Sequence, residues 1–112
     1  MKEIKAIIQP GVVSKVIDAL KAIPDMPGVT VSEIKGFGRA RANVPHSIVE
    51  WGVAMVVKAK LETVVTDEMV RQVVEAIQKN AYTGNIGDGK IFVYDVNEVI
   101  KIRTGESGPV AI

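Results

Sequence analysis

Apolar and polar residues alternate over residues 2–9: Ile4, Ala6 and Ile8 fall on one side, Glu3, Lys5 and Ile7 on the other. That period of two predicts a strand with one buried face. Pro10-Gly11 ends it, and the pattern over 12–23 becomes helical. Val12, Val13, Val16, Ile17, Leu20 and Ile23 form one stripe; Ser14, Lys15, Asp18 and Lys21 lie opposite. Pro24 and Pro27-Gly28 stop the helix. Residues 29–36 are rich in β-branched side chains and predict a second strand, which runs into the glycine turn Gly36-Phe37-Gly38-Arg39.

Residues 40–52 have no clean period, and Pro45 opposes regular structure there. About residues 39–52 the chain reads as a long mobile loop between two strands, and loops of that length in small domains tend to carry function. Arg41, His46 and Trp51 are its candidate partner-facing residues. Ile48, Val49 and Trp51 either form a partner surface or begin the next strand and pack inward. Over 53–65 alternation returns: Val57, Ala59, Leu61, Thr63 and Val65 share one face, and Lys58, Lys60, Glu62 and Val64 the other. Thr66 is a helix N-cap type, with Asp67 and Glu68 at the positive end of the dipole. The helix extends to about 82 on a stripe of Met69, Val70, Val73, Val74, Ile77 and Ala81, with Gly84 as expected C-cap. A strand over 90–96, a short strand near 99–103 and a Gly- and Pro-containing tail complete the chain. The order β-α-β-loop-β-α-β predicts a ferredoxin-like α+β sandwich, one domain over 1–112, with an antiparallel sheet and both helices on one face.

Composition narrows the function classes. The chain has 112 residues, 47% hydrophobic and 24% charged, so it has the material for one packed core. A net charge of +1 argues against general nucleic-acid binding, which rests on a large basic surface. With no cysteine, disulfides and thiolate metal sites are excluded. No signal-peptide pattern and no apolar run of membrane-spanning length is present, so a cytoplasmic location without membrane insertion is expected.

The chemistry concentrates in Thr83-Gly84-Asn85-Ile86-Gly87-Asp88-Gly89-Lys90. Glycines let a ligand approach the main chain, successive backbone N–H groups form an anion nest, and Lys90 adds a cation. A second basic cluster follows at Lys101-Ile102-Arg103-Thr104-Gly105. The two resemble a phosphate cradle, although a plain hairpin turn beside an incidental lysine has the same composition. It is not a P-loop, because Ile91 follows the lysine and a strand, not a helix, comes next.

Taken together, Thr83-Gly84-x-Ile86-Gly87-Asp88-Gly89-Lys90-Ile91-Phe92-Val93 and Ile102-Arg103-Thr104-Gly105-Glu106 resemble the PII nitrogen-regulatory signal-transduction proteins. So do Ala6-Ile7-Ile8 with Pro10, Lys35-Gly36-Phe37-Gly38-Arg39, and Lys58, Lys60 and Glu62. The resemblance covers essentially the whole chain. It implies a homotrimer that binds ATP or ADP in clefts between neighbours and controls a partner protein, a membrane transporter or an enzyme, through the long loop. The implied nucleotide positions are Ile7, Thr30, Gly36, Phe37, Gly38, Arg39, Lys58, Glu62 and Val64. Gly87, Asp88, Gly89 and Lys90 would hold phosphates, and Lys101 and Arg103 would add charge. Lysine at 101, where the family often has arginine, keeps the charge but loses the bidentate fork.

Two departures qualify this. Ala40 stands where typical members have a glutamine whose oxygen completes the Mg²⁺ that bridges ATP and 2-oxoglutarate. Alanine offers no donor, so Mg²⁺ with 2-oxoglutarate is expected to bind weakly or not at all, although Lys58 is retained. The tyrosines are Tyr82 and Tyr94, neither in the loop, so loop uridylylation lacks its nucleophile; Ser47 leaves phosphorylation open. Three other readings stand beside the leading one. The first is a slow ATPase or phosphotransferase with Glu62 as base, although no carboxylate cluster supports enzymatic purpose. The second is a metal-binding trimer that gathers His46, near Glu50, around a three-fold axis, like the copper-tolerance trimers of the same fold. The third is an ordinary 2-oxoglutarate-responsive nitrogen regulator.

Overall fold

In a computed structural model the chain is described over residues 1–37, 47–50 and 52–112, the side chains of 47, 48, 50 and 53 excepted. Strands β1 (Lys2–Ile8), β2 (Thr30–Gly36), β3 (Ser47–Glu50), β4 (Val53–Val65) and β5 (Gly89–Asp95) form one antiparallel sheet, and helices α1 (Val13–Lys21) and α2 (Val70–Ala81) pack on it. The spatial order is β2-β4-β1-β5, with β3 paired to β4. Each strand of the predicted sandwich is in place, and the architecture is the ferredoxin-like α+β fold.

The burial follows the alternation. Ile4, Ala6 and Ile8 of β1 and Ala59, Leu61, Thr63 and Val65 of β4 face the helices and are buried. Val16 and Leu20 of α1 and Val73, Ile77 and Ala81 of α2 close over them. Each large side chain fully removed from water contributes about 1.5–3 kcal/mol. The polar residue in this layer, Thr63, donates its hydroxyl to the Gly28 carbonyl at 3.0 Å, which ties β4 to the segment before β2. A buried hydroxyl without such a partner would be destabilising.

Several local expectations need correction. The stretch read as loop contains β3, whose Ser47–Glu50 pairs with Val53–Val56 through a turn at Gly52. Val49 is 75% exposed, so its side chain does not pack inward. Both helices open with a 3-10 turn, Pro10–Val12 and Asp67–Met69. Thr66 makes no capping bond with its side chain. The second helix ends at Tyr82 in an extended conformation, so Gly84 belongs to the following turn and is not the cap. The strand expected near 99–103 is instead a tight hairpin: Ile100 and Ser107 form an isolated bridge, and Lys101 N–H donates to the Glu106 carbonyl at 2.8 Å.

Gly89 is the position that admits β5 to the sheet. Its φ is +105°, and a Cβ there would lie 1.8 Å from the Ile7 carbonyl oxygen. Gly89→Ala should destabilise by at least about 2–3 kcal/mol through strain and clash. Gly28→Ala, with open space around it, should stay within about 0.5 kcal/mol. Chemical denaturation of the two variants checks both.

Candidate functional site

The helix-free face of the sheet carries part of the set that sequence singled out. Register places Ser32, Lys60, Ile7 and Lys90 in one row across β2, β4, β1 and β5. The adjoining row is Thr30, Glu62, Lys5 and Phe92, and the next holds Val64, Glu3 and Tyr94. Ile7, Thr30, Glu62, Val64 and Lys90 therefore share one surface, because cross-strand partners point to the same side. Glu62 lies 3.6 Å from Lys60, an ion pair that uses the carboxylate as a neighbour's partner. Lys5 sits 5.2 Å from the Phe92 ring centre and 5.0 Å from that of Tyr94, in cation–π range of both.

The glycine turn is built differently from a bare anion nest. The Asp88 carboxylate accepts the Thr83 N–H at 2.8 Å, the Gly84 N–H at 3.0 Å and the Thr83 hydroxyl. The Thr83 hydroxyl oxygen in turn accepts the Asn85 N–H at 3.2 Å. The first N–H groups of the turn thus bind the chain's own carboxylate, and Asp88 is directed into the turn rather than offered to a phosphate. The Thr83 hydroxyl, then the Thr83 and Gly84 N–H groups, hold the Asp88 carboxyl below its ordinary range.

The far end of the turn is gripped by its carbonyl. Gly87 C=O accepts Gln9 Nε2 at 2.7 Å and also the Lys58 ammonium. Burial lowers the Lys58 pKa from its ordinary value, with the Asp88 charge pulling the other way. Gln9 was not anticipated from sequence. It follows the last strand residue and precedes Pro10, and nothing in the hydropathy pattern distinguishes it from a surface glutamine. Its contact partner is 78 positions away.

The two basic clusters are not side by side in sequence-to-structure terms. β5 begins at Gly89, beside Ile8, and ends at Asp95, beside Lys2. Six steps of about 3.4 Å put its ends about 20 Å apart. Lys101 and Arg103 belong to the hairpin that follows the far end, where Lys101 lies 3.8 Å from Glu106. The second glycine turn begins at Gly36 on β2, the opposite sheet edge from β5. Three strand spacings separate those edges, about 14 Å. Phe37 is 71% exposed at the end of β2. Gly38, Arg39, Ala40, Arg41, His46 and Trp51 lie outside the described residues.

Comparison with known sequences supplies the family. The model of the family described as Nitrogen regulatory protein P-II matches residues 1–106. The chain belongs to the P-II family. It is 49% identical to the Nitrogen regulatory protein P-II of Pasteurella multocida, 48% to that of Rhodospirillum rubrum and 47% to that of Klebsiella oxytoca, each over the full length of both chains. P-II proteins are signal-transduction regulators, which places this chain among regulators that respond to small-molecule effectors and act through protein partners. No helix among the described residues is long and apolar enough to cross a membrane.

Asp88 gives a pH test of the turn. Its folded pKa is depressed, so its contribution is present above the unfolded value and is lost as pH falls through the folded value. The amide signals of Thr83 and Gly84 should titrate together in NMR with a midpoint below about 3.9, the ordinary aspartate value. Asp88→Asn should abolish that titration; a midpoint at or above the ordinary value would mean the carboxylate is not held by the turn.

Proposed function

We infer that this P-II chain is a nucleotide-responsive regulator that assembles as a homotrimer, binds ATP or ADP between neighbouring copies, and acts on a partner transporter or enzyme through the segment around residues 39–52. The observation that carries this reading is the division of the phosphate-binding chemistry. Gly87–Lys90 opens β5 and is tied through Lys58 to the end of β4 near Gly36, whereas the Lys101–Arg103 hairpin follows the other end of β5, about 20 Å along the strand, so the two basic groups occupy separate margins of one sheet. A nucleotide contacting both needs a second copy to bring two margins together. The sheet's helix-free face, with Phe92 and Tyr94 around Lys5, offers such a copy an aromatic surface. Ile86 and Ile102, 87% and 100% exposed, place apolar side chains at the tips of the two turns. Exposed apolar residues concentrated at functional margins suit an interface.

The residues fit an anionic nucleotide better than a bare metal ion. Lys90, Lys58, Lys101 and Arg103 are cationic, while Asp88 is bonded inward. Any Mg²⁺ would then arrive on the nucleotide's own phosphates, since it retains water and phosphate oxygens readily. Ala40 removes a side-chain oxygen from the position where the family coordinates that ion, so 2-oxoglutarate synergy is expected to be weak and loop uridylylation absent. The 49% identity to a named nitrogen regulator over the whole chain favours one second reading, the ordinary 2-oxoglutarate-responsive regulator.

Calorimetric titration with ATP and ADP, with and without 2-oxoglutarate, separates the readings. The chain should bind nucleotide with little change on adding 2-oxoglutarate; strong synergy would restore the second reading. Lys90→Ala should weaken nucleotide affinity about tenfold or more, as expected for loss of a charge-assisted bond. Phe92→Asp should both separate the copies in sedimentation and remove nucleotide binding. A monomeric variant that still bound ATP at full affinity would refute the shared cleft.

A further inference from the structure

Gln9 is committed in an unusual way. Its Nε2 donates to the Gly87 carbonyl at 2.7 Å, while its Oε1 is buried with no hydrogen-bond partner among the described residues. Half of a polar amide is therefore left unsatisfied, an unfavourable arrangement that the Nε2 bond must outweigh. Reversing the amide would set oxygen against the Gly87 oxygen, so the orientation is fixed by that carbonyl. The approach is close: a Cβ on Gly87, whose φ is +97°, would lie 3.1 Å from Gln9 Nε2 and 3.6 Å from Lys58 Nζ.

The same carbonyl also receives Lys58. Two donors on one oxygen is one more than that oxygen needs to be satisfied. The Lys58 ammonium is thus held in a partly buried place by a neutral acceptor that another side chain already serves. Asp88 is the charge that acts on it from the turn, and Ile34 is its cross-strand neighbour on β2.

We propose that Gln9 is a positioning residue: by holding the Gly87 carbonyl alone, it lets the Lys58 ammonium leave that carbonyl for an incoming anionic group without unseating the turn. Lys58 is then a cation with two positions, and Gln9 sets the balance between them. The proposal rests on the nucleotide reading above for the identity of the anion, but the coupling of Gln9 to Lys58 is a property of the free protein.

The test uses the full chain with ¹³C-labelled lysine, the Lys58 signal being assigned by its loss in Lys58→Met. Without nucleotide, Gln9→Leu should raise the Lys58 titration midpoint, because Lys58 becomes the remaining side-chain donor to Gly87. Gln9→Glu, which has the same shape but no donor and a negative charge, should raise it further. An unmoved midpoint in both variants overturns the proposal and leaves Gln9 a structural strut. With ATP, Gln9→Leu should weaken binding severalfold in the wild-type background and have no further effect in Lys58→Met. Additive losses would mean that Gln9 acts on the turn without Lys58, and would also overturn it. If the midpoint moves but the wild-type chain binds no ATP, the nucleotide reading fails and the release step for a nucleotide anion falls with it, while the Gln9–Lys58 coupling is retained.

Discussion

The closest constraint in the molecule is the contact of Gly89 with the backbone of β1. A side chain there would overlap the Ile7 carbonyl, so β5 can join the sheet at this register with a glycine and with little else. From that contact follow the placement of Lys90 beside Ile7, the position of the turn above the end of β1, and the reach of Gln9 to Gly87. Register errors in a strand invert every side chain, so one steric requirement at the first residue of β5 determines which of its residues face the open surface. The candidate surface is thereby a consequence of packing geometry at one atom pair.

The turn between α2 and β5 illustrates how a flexible composition becomes a rigid object. Three glycines alone would favour a broad ensemble. Asp88 closes one end through the N–H groups of Thr83 and Gly84, and Gln9 with Lys58 closes the other through the carbonyl of Gly87. The glycines permit the path, and the polar side chains select it. Because these side chains come from the residue that follows β1, from β4 and from the turn itself, the order of the turn depends on the sheet being formed.

The parts of this architecture that were legible in the sequence are those governed by periodic burial. The alternation of Ile4, Ala6 and Ile8, and of Ala59, Leu61, Thr63 and Val65, specifies both the strands and the face that meets the helices. The glycine turns and their cations were legible as chemistry, and the family is shown by similarity along the whole chain. What the sequence concealed was of two kinds. Short elements such as β3 contain too few residues for a period to emerge, and β3 exists through pairing with a longer strand. Long-range polar contacts such as Gln9 to Gly87 depend on register, which no local pattern expresses. The inward turn of Asp88 belongs to the same kind: an aspartate among glycines reads equally as a ligand or as a clasp until its donors are placed.

Strand β4 is longer than the sheet that holds it. Its thirteen residues outrun β1, which pairs with it from Ala59 to Val65, and the first four residues carry β3 beyond that edge. In mechanical terms this projection is a cantilever, braced at its root by β2 and β1 and laterally stiffened by β3. Four residues at about 3.4 Å each make an arm of about 14 Å, so a tilt of about 10° at its root displaces its tip by about 2 Å. A small strain at the root, where Lys58 lies, is thus converted into translation at the tip.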